Sequence, residues 1–256
     1  ILKVDSYDIN YNDTGSGKEI VLIHGLGADK TRWEKITPQL AENHRVVSVD
    51  LLGFGKSSKP NLNYRGQLLV QNLHRFLEKL NIKNPTLIGN SMGGWLSLLY
   101  TKMHPNSVKD LVLVGPAFIF GLPPGLTALE LTKNASPQDV QTMKTYLERI
   151  YHSLPKDINF EQELKIKLSK NDKKTIESLA MSLEKKLDIF SIDDVKAIQK
   201  KVMVIHGESD GVVPMRASQV LADLLPNATF EVVKGTGHWP QYEEPIDFLD
   251  LVGQFL

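Results

Sequence analysis

Gly89-Asn90-Ser91-Met92-Gly93 is the stretch that most limits what this chain can fold into. Before it stands the apolar run Pro85-Thr86-Leu87-Ile88, which reads as a buried strand. After it, Gly94-Trp95-Leu96-Ser97-Leu98-Leu99-Tyr100 reads as a buried helix. A Gly-x-Ser-x-Gly pattern at a strand–turn–helix junction makes a turn so tight that flanking side chains would collide and the serine backbone is strained. Glycines at 89 and 93 remove the obstruction and leave the Ser91 hydroxyl standing at the tip of a strand.

The chain around this turn alternates between two patterns. Ile20-Val21-Leu22-Ile23 and Leu111-Val112-Leu113-Val114 are apolar at every position, as strands covered on both faces must be, and Arg45 to Asp50 fits a third strand. Between them, Trp33 to Glu42 reads as a helix. Gln67 to Leu80, with apolar residues at 69, 70, 73, 76, 77 and 80, reads as an amphipathic one. Upstream, Ile1 to Tyr11, with the alternation Tyr7, Ile9, Tyr11, suits an exposed antiparallel strand. Strand and helix in turn predict an α/β fold, a mostly parallel sheet with helices on both faces.

From about Phe118 to Lys200 the rhythm breaks. Pro123-Pro124-Gly125 bends the chain. Val140, Met143, Leu147 and Ile150 form one helical stripe, and Ile176, Leu179, Leu183 and Leu187 another. The lysines at 165, 167, 170, 173, 174, 185 and 186 read as a solvated helix face. The sheet resumes at Val202-Met203-Val204-Ile205, and Thr229 to Val233 is its last strand. Helices fit Ala217 to Leu225 and the stretch from Pro245 onward. The expected division is a core of residues 1–117 and 201–256 and an inserted helical cap of 118–200.

Composition narrows the chemistry. Thirty basic and thirty acidic side chains cancel over 256 residues, so no electrostatic reason exists to expect a nucleic acid or anionic membrane as partner. The absence of cysteine removes disulfides, thiolate metal sites and cysteine nucleophiles, and fits a cytoplasmic, reducing location. No apolar run has the length of a membrane span. The chain opens at Ile1 rather than methionine, which leaves a preceding segment open.

Four polar or glycine-rich loops follow strands, at His24, Ser91, Asp210 and His238, and a parallel sheet gathers such loops at one edge. A serine hydroxyl needs a base to take its proton, a histidine can serve, and a carboxylate must hold that histidine in the right tautomer. Ser91, His238 and Asp210 supply these three. The oxyanion that forms on an attacked carbonyl needs preorganised N–H donors, which the backbone of Leu26 and of Met92 offers. Gly25, Asn90, Phe118, Phe120 and Trp239 are expected to line the pocket, an apolar one as such sites usually are. Asp50 is the rival acid but precedes Ser91; Glu208 and Asp188 fit less well. His24 and His206, each before a glycine, read as structural, His104 as the end of the helix after Ser91, and His44, His74 and His152 as surface residues. No histidine pair has metal-ligand spacing, so no metal and no cofactor are expected. Gly55-Lys56-Ser57 imitates the end of a phosphate-binding loop, but Asp50 stands where that loop needs its first glycine.

Over essentially its whole length the sequence resembles the α/β-hydrolase family, through His24-Gly25-Leu26-Gly27, Asp50 to Ser57, Gly89 to Gly94, His206 to Pro214 and Gly237-His238-Trp239, with Ser, Asp and His in the family's order. The resemblance implies an eight-stranded sheet with a cap over the site. Serine at 91 speaks against epoxide opening and dehalogenation, whose enzymes carry aspartate there. A small-molecule carboxylic ester is the expected substrate, cleaved through an acyl-enzyme by a monomer or homodimer. The alternative is a C–C bond hydrolase of ring-cleavage diketones, to which Asn90-Ser91-Met92-Gly93-Gly94 and His238-Trp239 are similar. That subfamily has a longer glycine-rich run after its first His-Gly, an asparagine beyond it, and a cap arginine for a substrate carboxylate. Here only Leu26-Gly27-Ala28-Asp29 follows, Trp33-Glu34 stand further on, and Arg149 is the one cap arginine. A slow-turnover receptor is the reading from another class, and peroxide-dependent side chemistry would need the same three residues.

Overall fold

Each apolar strand sends alternate residues to opposite faces, and both faces are covered. Ile20 and Leu22 join Trp33, Ile36, Phe248 and Val252 on one side, while Val21 and Ile23 join Leu69, Phe76, Leu96 and Leu221 on the other. This computed structural model describes every residue from Ile1 to Leu256. Its strands are β1 (Leu2–Val4), β2 (Tyr7–Ile9), β3 (Tyr11–Thr14), β4 (Lys18–Ile23), β5 (His44–Val49), β6 (Thr86–Asn90), β7 (Leu111–Val114), β8 (Val202–Gly207) and β9 (Ala228–Val233). The main sheet has seven strands in the order β3-β5-β4-β6-β7-β8-β9, all parallel except β3.

The expected eight-stranded sheet is therefore corrected to seven. Asp5 turns the chain back at φ 52°, so β1 and β2 pair in a separate hairpin. Asn10 then breaks the alternation, because its backbone bonds the loop after β5: its N–H donates to Ser57 Oγ and its carbonyl accepts from Asp50 N. The predicted single strand Ile1 to Tyr11 is thus divided among β1, β2 and β3, and only β3 enters the main sheet.

Eleven α-helices complete the chain. Those of the first half are α1 (Thr37–Leu40), α2 (Gly66–Lys79) and α3 (Met92–Met103). The predicted helix Trp33–Glu42 is instead a 3-10 turn at Lys30–Trp33 followed by α1. Pro38 has no N–H to continue a helix from Trp33 and sits in the first turn of α1, where none is needed.

Five helices lie between β7 and β8: α4 (Ala128–Ala135), α5 (Val140–Ile150), α6 (Phe160–Ser169), α7 (Lys173–Glu184) and α8 (Ile192–Lys196). Side-chain caps start α4, α5, α6 and α8 at Thr127, Asp139, Asn159 and Ser191. Leu131, Ile176 and Leu179 from this insertion share one apolar cluster with Leu69, Trp95 and Leu113 of the sheet layers. Each such buried side chain contributes about 1.5–3 kcal/mol, so apolar packing seats the insertion. Val140 and Leu187, expected in the stripes, are exposed at 42% and 36%. The chain ends with α9 (Met215–Leu224), α10 (Pro240–Glu243) and α11 (Pro245–Phe255). No helix is long and apolar enough to cross a membrane.

Register fixes where chemistry collects. Ile23 lies opposite Gly89, Asn90 opposite Val114, Val114 opposite Ile205, and Gly207 opposite Val233. The loops after β4, β6, β7, β8 and β9 thus leave the sheet at one edge, with β6 at its centre.

Candidate active site

Ser91 occupies φ 57°, ψ −117°, a conformation that costs a non-glycine residue about 1–3 kcal/mol. Neighbours over-determine it. A Cβ at Gly89 would run into the Gly93 carbonyl, and one at Gly93 into the Ile23 carbonyl. The Ser91 N–H donates to Val114 O (2.8 Å) and its carbonyl accepts from Gly94 N (2.9 Å). Met92, its side chain buried, opens α3, where a helix leaves its N–H groups without intrahelical partners.

The loop after β4 supplies a second free N–H. Ala28 N donates to Gly25 O (3.2 Å), closing a turn over Leu26 and Gly27, and Gly27 takes the positive φ (67°) such a turn needs. The turn bond leaves the Leu26 N–H unused. His24 anchors the loop from below, fully buried, with Nδ1 2.8 Å from Gly25 O and Nε2 accepting from Leu51 N (3.1 Å). Burial holds its pKa below the usual histidine value, so it is a neutral structural residue.

Asp210 follows β8. Its Oδ1 accepts from Val212 N (2.7 Å) and Val213 N (2.9 Å), and its Oδ2 meets His238 Nδ1 at 2.7 Å. Burial pushes this carboxyl up, but the His238 charge and these hydrogen bonds outweigh it and hold the pKa below the ordinary carboxylate value. His206 lies beside Asp210 at 3.6 Å, with its nitrogens engaged by Ser218 Oγ and Val213 O. With Nδ1 committed to Asp210, His238 has Nε2 left for other work.

Ser91 and His238 line one cavity of about 550 Å³, together with Gly25, Leu26, Asn90, Phe118, Phe120 and Trp239. No hydrogen bond joins Nε2 to the Ser91 hydroxyl; such contacts often tighten only around substrate. Asp210 sits behind His238, outside the cavity wall. Sixteen of the 28 lining residues are hydrophobic, so the cavity suits an apolar body with few polar handles. Phe120, 42% exposed, stands at its mouth, and Trp239 is pinned by Arg32 4.4 Å above its ring. Asn90 Nδ2 donates to Val114 O and to His238 O, both at 3.1 Å, and so ties the serine strand to the histidine loop.

The rival groups are otherwise engaged. Asp50 accepts from Lys30 N (2.8 Å), Lys56 N (2.8 Å) and Asn10 Nδ2 (2.7 Å), and the Gly55-Lys56-Ser57 loop is wrapped around it. Asp188 pairs with Arg65 at 2.6 Å, and Glu208 accepts from Gly235 N. His74 is half-buried rather than a plain surface residue: it stacks on His104 at 3.7 Å and meets the Tyr100 hydroxyl. No group of three His, Asp or Glu that could hold a metal occurs.

Three residues add to the site: Glu243 and Lys167 do not stand out in the sequence, whereas Arg149 does, as the one arginine of the insertion. Glu243 accepts from Gly237 N (2.9 Å) and His152 N (2.7 Å), bracing the histidine loop against the insertion. Its signal is the Pro240–Glu243 turn directly after Trp239. Arg149 lines the cavity, donates from Nε to Gly211 O (3.4 Å), and has no partner within the protein for its terminal nitrogens. Lys167 departs from its expected place: it is 6% exposed, not on a solvated face, and Lys170 is paired with Asp29 at 2.8 Å. Nothing in their spacing sets these two apart from the lysines around them.

Comparison with known proteins agrees with this architecture. The 2-hydroxy-6-oxo-2,4-heptadienoate hydrolase of Pseudomonas putida is 30% identical, with 97% of this chain and 92% of that protein covered. Among solved structures, a meta-cleavage product hydrolase from Pseudomonas fluorescens IP01 superposes with a TM-score of 0.85 at 25% identity, over 98% of this chain and 94% of that one. An esterase from Exiguobacterium antarcticum does so with a TM-score of 0.85 at 26% identity, over 98% and 96%. The model of the alpha/beta hydrolase fold family matches residues 18–245. With that match spanning six of the seven strands of the main sheet, the insertion and every strand-end loop described above, this chain belongs to the α/β-hydrolase family and is a hydrolase.

Proposed function

We propose that the chain uses Ser91 as nucleophile, His238 as base and Asp210 as orienting acid. We further propose that the bond it cleaves is the C–C bond beside a ketone in an acidic, conjugated diketone. Ser91 Oγ attacks the ketone while Nε2 of His238 takes its proton. The Leu26 and Met92 N–H groups face the oxyanion. Collapse breaks the C–C bond; its electron pair delocalises into the conjugated fragment, which takes the proton back from His238. Water, deprotonated by the same histidine, then releases the acyl group as a carboxylic acid.

The observation that carries the choice of bond is Arg149. It lines the cavity that Ser91 and His238 share, with its terminal nitrogens unpaired, and a guanidinium fork suits a substrate carboxylate. The carboxylate and ketone in the name of the Pseudomonas putida relative support the same reading. Ester hydrolysis, the expectation from sequence, remains the second reading, favoured by the apolar lining and by the esterase neighbour. The missing longer glycine run after His24 sits more easily with it.

A kcat/KM panel decides between them, with aryl esters of increasing acyl length beside one acidic ring-cleavage diketone. The C–C reading predicts a clear preference for the diketone. It also predicts that Arg149→Met raises KM for the diketone by about 10–100-fold, the worth of a charged hydrogen bond, and changes the ester values by less than about threefold. Preference for an ester, with Arg149→Met silent on both, establishes the second reading. Tight binding without turnover on either class would point to a receptor.

A further inference from the structure

We propose that Lys167, on α6 of the insertion, is a positioning residue for the oxyanion hole: its ammonium holds the Gly27 carbonyl and, through that turn, the aim of the Leu26 N–H. The inference rests on the reading above that Leu26 supplies an oxyanion donor.

Lys167 Nζ donates to Gly27 O at 2.6 Å and lies 3.4 Å from Asp172 Oδ2, with both side chains buried. Three residues of the insertion enclose Gly27. A Cβ built there would run into Lys167 Nζ, the Ala135 carbonyl and Ile176 Cδ1. One turn further along the same helix end, Lys170 pairs with Asp29, whose carboxylate also accepts from Thr31 N (2.9 Å). Two lysines from one helix end thus grip the second half of a four-residue turn and the residue after it, at Gly27 and Asp29, and the turn's only internal bond is Ala28 N to Gly25 O.

Stability does not explain this arrangement. A buried ion pair returns little net stabilisation and is often matched by apolar side chains of similar volume, whereas it does fix geometry. The insertion is already seated by Ile176, Leu179 and Leu131. A donor of the oxyanion hole, in contrast, works only when aimed to within a fraction of an ångström, and a misplacement of about 1 Å costs about 10²-fold in rate. The grip makes the aim of Leu26 depend on the insertion being docked.

The groups facing Lys167 are Asp172, Lys170 and Asp29, with Glu163, Tyr146 and Arg32 around the same small recess, Lys59 within reach of both aspartates and His24 within reach of Asp29 and Lys170. Burial, helped by Lys170 and opposed by Asp172 and Asp29, brings the Lys167 ammonium down to about 8. Lys167 is therefore charged below that pH, and the grip weakens as pH rises through it.

The test uses an aryl butyrate ester at saturating and limiting concentrations. Lys167→Met is expected to lower kcat by about 10–100-fold with KM changed less than about threefold. Since it leaves Asp172 buried without its partner, Lys167→Met combined with Asp172→Asn is measured beside it and is expected to show the same split. Wild-type kcat is expected to decline as pH rises through about 8, a decline absent in Lys167→Arg, whose side chain stays charged. Lys165→Met, on the exposed face of α6, serves as the silent control. An unchanged kcat in the folded double variant, or the same alkaline decline in Lys167→Arg, overturns the proposal. Turnover that survives Ser91→Ala overturns the underlying reading instead.

Discussion

Turnover falls by about 10³-fold or more when Ser91 is replaced by alanine, while the fold is kept. Alanine retains the Cβ, so the backbone at φ 57° meets no obstruction that serine did not already meet. The same hydrogen bonds hold it, its N–H donating to Val114 O and its carbonyl accepting from Gly94 N. What is lost is the oxygen proposed to form the covalent bond, and no other hydroxyl is placed on this turn. The residual rate reflects binding and the two N–H donors alone. The measurement is kcat on the better substrate of the panel, with a melting curve beside it. A rate within tenfold of wild type, in a preparation free of wild-type protein, contradicts the assignment.

Asp210→Asn is predicted to lower kcat by about 10⁴-fold, the size of effect an Asp-to-Asn change has in a triad of this kind. The geometry gives the reason here. Oδ1 of Asp210 accepts two backbone N–H bonds, from Val212 and Val213. An asparagine must keep its carbonyl oxygen on those donors, which turns its NH₂ toward His238 Nδ1. Nδ1 then has to accept, the ring proton moves to Nε2, and the nitrogen that should take the Ser91 proton already carries one. Because the native carboxyl is held below its ordinary pKa, the wild-type residue stays ionised throughout the working range. A kinetic profile of the asparagine variant with unchanged kcat would mean that another acid orients the ring.

Much of this site was legible in the residues because the chemistry is local. The turn at Gly89–Gly93 is written in five positions, and Asp210 and His238 each follow a short stretch that reads as a strand. The lesson of the N-terminus is different. Tyr7, Ile9 and Tyr11 alternate as one strand should, yet Asn10 is claimed by the loop of Asp50 and Ser57, forty and more residues away. Periodicity carries no trace of such a partner. The lysines of the insertion make the same point in another way. Lys165 and Lys167 are two residues apart on one helix, one exposed and one buried against Gly27. Only the docking of α6 on the loop after β4 separates them. Asn90 reads as a pocket residue in the sequence, but its bond to the His238 carbonyl exists only once the sheet edge is assembled.

The central claim is that Ser91 is activated by the ring of His238 in one shared cavity, and covalent labelling tests it most directly. An aryl fluorophosphonate incubated with the protein is expected to add once, on the peptide carrying Ser91, as read by mass spectrometry, with labelling slowed at least about 10²-fold in His238→Ala. Labelling of a different residue, or of Ser91 at an equal rate without the imidazole, would contradict it.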